Sequence, residues 1–267
     1  MEIHQHLSNA QDGGEGVKIE GILIGGGKGS RLGAGSYTSK PMVIAGGRPL
    51  YTYGMDILKA LGCYHITALC GDNFDFADSV KDRYTEVDAY VGPPQGIVAD
   101  IAALAPYKGD FVAMIFADEY VRNVGGDGWQ AWMKRFSESV WHGESISAFL
   151  AYVRGVSVAD VRKTYALLVD ADDDGISPQI VQRLIEKPVK PYAPRIGTGF
   201  AVARADALNL ALGAVDADPS RFRNWVDIWQ WLVDAGHWVV TEEFEGPYFN
   251  VNTPEDLEAL TTYLRGK

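Results

Sequence analysis

The hydrophobic pattern changes character at residue 17. The first 16 residues, which include Asp12-Gly13-Gly14-Glu15-Gly16, show no apolar periodicity and read as a floppy leader. Residues 17–24 then form a β-type run ending in a glycine-rich turn. Residues 49–61 place Leu50, Tyr53, Ile57 and Leu58 at helical spacing behind a first-turn proline. Strands at 65–70, 88–91 and 111–117 alternate with helices at 74–84 and 96–105, and the run 111–117 is almost wholly apolar, as a strand covered on both faces would be. This alternation predicts an α/β fold whose parallel sheet has helices on both sides.

Beyond Asp118 the rhythm loosens and the sheet is expected to become mixed. A helix is predicted at 129–140, strands at 145–153 and 164–169, an acidic turn at 170–175, and strands at 179–185 and 199–203. A Trp-rich helix at 224–234 and a strand at 238–244 follow. The last helix starts at Thr253, whose hydroxyl can cap free amides; Pro254 suits the first turn, and Glu255 and Asp256 suit the positive helix end. With no internal repeat or low-complexity linker, residues 17–267 read as a single domain.

Composition narrows the function. The chain has 267 residues, 47% of them apolar and 11% aromatic, enough to build a core. Lys and Arg number 24 against 35 Asp and Glu, a net charge of −11, which argues against a nucleic-acid or anionic-membrane surface. Any phosphate must therefore be held by a few local cations and backbone amides. No run of about 18 apolar residues and no signal peptide is seen, so a cytoplasmic location is the default expectation. Cys63 and Cys70 match neither a disulfide framework nor a zinc spacing and read as core residues. His4 and His6 are read as tail residues without a metal.

The turn after the first strand, Gly25-Gly26-Gly27-Lys28-Gly29-Ser30-Arg31, exposes backbone N–H groups without side-chain bulk, which is how a loop wraps a phosphate chain. A P-loop requires Ser or Thr after Gly-Lys, and Lys28 is followed by Gly29; a dinucleotide fingerprint requires Gly where Ser30 stands. A turn without a ligand would not need four glycines beside Lys28, Arg31 and Lys40-Pro41.

Taken together, Gly25 to Leu32 and Lys40-Pro41 resemble the signature of the sugar-1-phosphate nucleotidylyltransferases. In order downstream come Gln95-Gly96-Ile97-Val98-Ala99-Asp100, Phe116-Ala117-Asp118-Glu119, Glu186-Lys187-Pro188, Gly197-Thr198-Gly199-Phe200 and Asn250-Val251-Asn252-Thr253-Pro254-Glu255-Asp256. The resemblance spans roughly residues 18–260, and the loop between Arg31 and Lys40 is similar to that of glucose-1-phosphate thymidylyl- and cytidylyltransferases.

The resemblance implies a Rossmann-like nucleotidyltransferase fold and a Mg²⁺-dependent coupling of a nucleoside triphosphate to a sugar 1-phosphate, glucose 1-phosphate with dTTP or CTP foremost. A sugar phosphate is already ionised near neutral pH, so its attack on the α-phosphorus needs charge neutralisation and in-line alignment rather than a general base. By this resemblance Arg31 and Lys40 lie along the triphosphate, and the backbone of Gly25, Gly26, Gly27, Gly29 and Ser30 cradles it. Leu23, Gln95 and Gly96 contact the base. Asp118 holds Mg²⁺ with Asn252 or Asn250, Asn252 being favoured. Glu186 binds sugar hydroxyls, Lys187 binds the sugar phosphate, and Tyr165, Ala166 and Gly199 line the same pocket, Gly199 by allowing close backbone approach. Arg195 is a nearby cation.

Two departures stand out. Val91 sits where many relatives carry a base-reading Gln, which leaves base choice open, and Ala117 replaces the more usual Gly. The segment 170–175 matches half of a calcium loop, but Val181 stands where a bidentate Glu is required, so a hairpin turn is expected. Trp225, Trp229, Trp231 and Trp238 are expected in the core. The rival readings are a cytidylyltransferase acting on an alcohol or amino-alcohol phosphate, and a non-catalytic nucleotide-binding regulatory subunit. A homo-oligomer is compatible with the chain but not dictated by it.

Overall fold

A computed structural model of the chain describes residues 16–26, 32, 39–93, 95–122, 128–154, 157–170, 179–190 and 195–266. The predicted leader up to residue 15, most of the glycine loop including Arg31, and residues 171–178, which take in all of the expected 170–175 turn but Asp170, lie outside the described residues. The first half runs β1 (Ile19–Ile24), β2 (Ile44–Ala45), β3 (Arg48–Pro49), α1 (Tyr51–Leu61), β4 (His65–Gly71), α2 (Phe74–Arg83), β5 (Val87–Val91), α3 (Ile97–Ala102), β6 (Phe111–Phe116) and β7 (Glu119–Val121). The second half runs α4 (Gly128–Glu138), β8 (Val140–Trp141), β9 (Glu144–Ser145), β10 (Ala148–Arg154), α5 (Val158–Val161), β11 (Tyr165–Val169), β12 (Gln179–Glu186), β13 (Arg195–Arg204), α6 (Ala205–Ala217), α7 (Trp225–Asp234), β14 (Val239–Glu243), β15 (Tyr248–Asn250) and α8 (Pro254–Arg265).

The main sheet is mixed. Strands β5, β4, β1 and β6 are parallel neighbours, as the alternating first half predicts. Strand β13 then joins antiparallel to β6 through residues 201–204, and the same strand meets β11 near its start, where Ala166 faces Ile196. β13 also pairs with β10. Strands β10, β14, β12, β11 and β13 pair each with the next, and the pairings close on themselves.

Period-2 alternation decides which core each side chain enters. Ile19 and Leu23 of β1 point toward α1, α2 and α4, whereas Ile22 and Ile24 point toward α3, α6 and α7. Trp132 of α4 packs edge-on against Phe149, with ring centroids 4.5 Å apart, and near Phe200. Burying each such ring stabilises by about 1.5–3 kcal/mol. A third cluster of Leu32, Ala45, Leu50, Tyr53, Val251 and Leu260 ties α8 to the start of the chain.

Several expectations change. The helix expected at 96–105 contracts to α3, and the strand expected at 199–203 begins earlier, at Arg195. Helix α6 was not foreseen from the sequence, because it follows β13 at once with no side-chain cap and carries Gly213 within it. Cys70 is buried and Cys63 partly so; burial pushes both thiols up to about 12, consistent with core roles. Among the described residues, no helix is long and apolar enough to cross a membrane.

Candidate functional site

The site forms where the parallel strands end. Strand β6 delivers Asp118 just past its last residue, a position where open α/β sheets gather ligands. A two-stranded ribbon brings the distant partners. In it β15 lies antiparallel to β7 with Asn250 opposite Glu119, and the Val251 amide donates to the Asp118 carbonyl at 3.0 Å. Asn252 thereby stands beside Asp118, and its own amide is fixed by Asp256 Oδ2 at 2.9 Å within the capping box that Thr253 and Asp256 form at the start of α8.

Lys40 closes this corner from the first position of a short 3₁₀ turn, Lys40–Met42, whose second residue is Pro41. Its ammonium donates to the Asp118 carboxylate and to Asn252 Oδ1, the latter at 2.8 Å, while Lys40 as a whole is only 8% exposed. Glu119, which the sequence reading quoted without a role, anchors the arrangement from below. It is 3% exposed and accepts from the Gly199 amide at 2.6 Å, from the Tyr248 hydroxyl at 2.8 Å and from Asn250 Nδ2 at 3.3 Å. Burial pushes the Glu119 carboxyl up to about 8, with the neighbouring Asp118 charge adding to the rise and the bonds from Gly199 and Tyr248 opposing it.

These contacts also settle the orientation of two amides. Asn250 turns its NH₂ to Glu119, so its Oδ1 is left to accept from Asn252 Nδ2 at 2.6 Å. Asn252 must then aim its own Oδ1 toward Lys40 and Asp118. Asn252, and not Asn250, therefore presents its oxygen beside the Asp118 carboxylate.

Asp118 separates two lobes of one cleft. The first, about 320 Å³, is lined by Gly25, Gly26, Lys40 and Pro41 together with Leu69, Gly96, Ile97 and Asp100. The second, about 450 Å³, is lined by Glu119, Thr164, Tyr165, Glu186, Lys187 and Gly199, among others, with Asn250 and Asn252 at its rim. Ile97, Phe116 and Asp118 belong to both.

The hairpin of β11 and β12 sets Tyr165 opposite Glu186, and the Lys187 amide closes onto the Thr164 carbonyl at 2.6 Å. Lys187 holds φ at +44°, a left-handed conformation disfavoured for a side-chain-bearing residue, and more so ahead of Pro188. Its Nζ lies 3.5 Å from Glu186 Oε1 and its side chain is 64% exposed. Burial raises the Glu186 carboxyl above its ordinary value, and the Lys187 charge offsets part of that rise.

Other predicted residues fall elsewhere. Leu23 is buried beneath α1, and Gln95 is exposed without lining either lobe; Asp100 joins Asp118 as an acidic side chain in the first lobe. Ala166 points into the core behind Tyr165. Gly199 does line the second lobe, but its N–H is committed to Glu119 and a Cβ there would meet Phe116 Cδ2 at 1.8 Å. Packing, not ligand approach, requires that glycine. Gly25 likewise faces Phe76, 2.3 Å from where its Cβ would lie, and donates its N–H to the Leu69 carbonyl. Arg195 lies over the Tyr152 ring, outside the cleft. Trp229 is core, as expected, whereas Trp225 is core with one edge on the second lobe, its ring 5.2 Å from that of Phe116. Strands β11 and β12 are antiparallel neighbours on either side of the acidic segment.

No protein family matches the sequence, and none of the curated proteins does. The fold, however, is shared with solved structures. One is a Bacillus anthracis protein, provisionally named a glucose-1-phosphate thymidylyltransferase, whose crystal structure at 2.76 Å contains sucrose. It superposes with a TM-score of 0.73 over 93% of this chain and 96% of its own, at 17% identity. The architecture is thus a mixed α/β fold of the kind found in that nucleotidyltransferase-like neighbour.

Proposed function

We propose that the chain is a nucleotidyltransferase that joins a nucleoside triphosphate to a sugar 1-phosphate and releases pyrophosphate. The observation that carries this reading is the two-lobed cleft. Glycine backbone and a lysine line one lobe, a carboxylate and a lysine on a strained turn line the other, and Asp118 stands where they meet. The neighbour's description as a thymidylyltransferase agrees with it.

In this reading the triphosphate lies in the first lobe along Gly26 and Lys40. The acceptor sits in the second, its hydroxyls on Glu186 and its phosphate on Lys187. A phosphate oxygen of the acceptor attacks the α-phosphorus and forms a new P–O bond. The bond from that phosphorus to the β-bridging oxygen breaks, and its electron pair leaves on pyrophosphate. No proton moves, so the site needs cations rather than a base.

A divalent metal fits the donor set. The Asp118 carboxylate and Asn252 Oδ1 converge on one cationic point, held by the Lys40 ammonium, and both are hard oxygen donors. Among the described residues no cluster of three or more His, Cys, Asp or Glu forms a metal cage, so phosphates and water would complete the shell. Bound there, Mg²⁺ would neutralise charge on the reacting phosphates. Glucose 1-phosphate with dTTP or CTP is the favoured pair. Pyrophosphate release is the test, measured with each of five nucleoside triphosphates against a panel of sugar 1-phosphates. Release that requires one of each supports the reading, and silence across the whole panel refutes it.

A further inference from the structure

The two groups that the reading above assigns to a divalent cation, the Asp118 carboxylate and Asn252 Oδ1, are the same two that hold Lys40, through Asp118 Oδ2 and Asn252 Oδ1. Its ammonium bonds the Asp118 carboxylate and Asn252 Oδ1 together. An ammonium in hydrogen-bond contact with both donors and a metal ion coordinated by both cannot share that point, because like charges would lie within one bond length of common ligands. The Asn252 amide cannot turn to present a second acceptor. Its Nδ2 is bound to Asn250 Oδ1, and Asn250 is in turn held by the buried Glu119. The ammonium is therefore a built-in occupant on rigid walls.

Lysine is suited to leaving. It is a point charge on a flexible four-carbon stem, free of the planar fork that locks an arginine to a carboxylate. It leaves only if another anion accepts it, since its side chain is nearly buried. Lys40 also lines the first lobe, beside Gly25 and Gly26, where a phosphate chain would offer such an anion. We propose that Lys40 is the resident counter-ion of the cation site: it excludes divalent metal until a phosphate chain in the first lobe draws the ammonium away. Cation and triphosphate binding are then mutually dependent, and a lone divalent ion binds poorly. This rests on the assignment of Asp118 and Asn252 to the cation, not on the identity of the acceptor.

The test is Mn²⁺ titration of the full chain without nucleotide, followed by electron paramagnetic resonance. Lys40→Met, which keeps the stem and removes the charge, is expected to bind Mn²⁺ about tenfold or more tighter than the wild type, within the usual range of site coupling. Lys40→Arg keeps a cation at the point and is expected to stay as weak as the wild type. Adding Asp118→Asn to Lys40→Met is expected to abolish the gain. Far-ultraviolet circular dichroism checks folding, and Lys40→Gln takes the place of Lys40→Met if the latter does not fold. Equal or weaker Mn²⁺ affinity in the neutral variant, including no detectable binding by either protein, overturns the proposal. A tighter neutral variant from a chain that never releases pyrophosphate would instead sink the transfer reading and leave this one standing.

Discussion

Gly199→Ala separates two explanations of the same glycine. In the structure the added methyl would sit 1.8 Å from Phe116 Cδ2 and 2.7 Å from Cγ. Ordinary carbon contacts lie at about 3.5 Å, so the ring must retreat by about 1.7 Å. It cannot do so freely, because Trp225 packs against it at 5.2 Å between centroids. Overpacking of this kind costs about 1–3 kcal/mol, partly offset by the 0.4–1 kcal/mol or so that an alanine gains through a less disordered unfolded chain. Urea unfolding followed by tryptophan fluorescence should therefore show a net loss of about 1–2 kcal/mol for Gly199→Ala. In a Phe116→Ala background the clash is gone, and the same substitution should be neutral or stabilising, giving a coupling of at least about 1 kcal/mol across the double-mutant cycle. An equal cost in both backgrounds would refute the reasoning. So would a wild-type background that tolerates alanine while the acceptor KM rises, which would restore the close-approach role.

Other outcomes follow from the same geometry. Lys187→Ala should leave the unfolding midpoint unchanged, since its side chain is mostly exposed, yet lower kcat/KM for the sugar phosphate by about 10–100-fold, matching the 1.5–3 kcal/mol or so of a charged hydrogen bond; steady-state kinetics decides. Asp100→Ala should lower the KM for the triphosphate, by removing a negative charge from the lobe that takes the polyanion, and leave that for the acceptor untouched, because Asp100 lines the first lobe alone; an acceptor effect would contradict the division of the cleft. Glu119 has a carboxyl raised to about 8 against an unfolded value near 4.5, so the folded state holds its proton longer, and stability from this group is present below about pH 4.5 and lost as pH rises through 8. Denaturation curves across that window should fall with pH in the wild type and flatten in Glu119→Gln, which carries no such titration; parallel curves would show that Glu119 is not the source.

Much of the first half was legible because its signals are local. The wholly apolar 111–117 run and the helical spacing of Leu50, Tyr53, Ile57 and Leu58 require no knowledge of partners, and both elements form with their ends shifted by at most two residues. The Thr253, Pro254 and Asp256 cap is equally local and holds. Helix α6 escaped because Ala205 follows β13 without a turn signal. The ribbon of β7 and β15 escaped because three-residue strands are too short for periodicity, although it is what brings Asn252 to Asp118. Glu119 escaped for a related reason: its importance lies in Gly199, Tyr248 and Asn250, all distant in sequence. Glycine at 199 could be read from the sequence, but that Phe116 is what demands it could not.

The central claim is that the bond formed is at the α-phosphorus. It is tested most directly by following label from a nucleoside triphosphate radiolabelled at the α-phosphate, or separately at the γ-phosphate, in the presence of a sugar 1-phosphate and Mg²⁺. The account predicts α-label in a sugar nucleotide, γ-label in pyrophosphate, and neither transfer in Asp118→Asn. Transfer of γ-label to the sugar, or α-label that reaches the product equally well without Asp118, would contradict it.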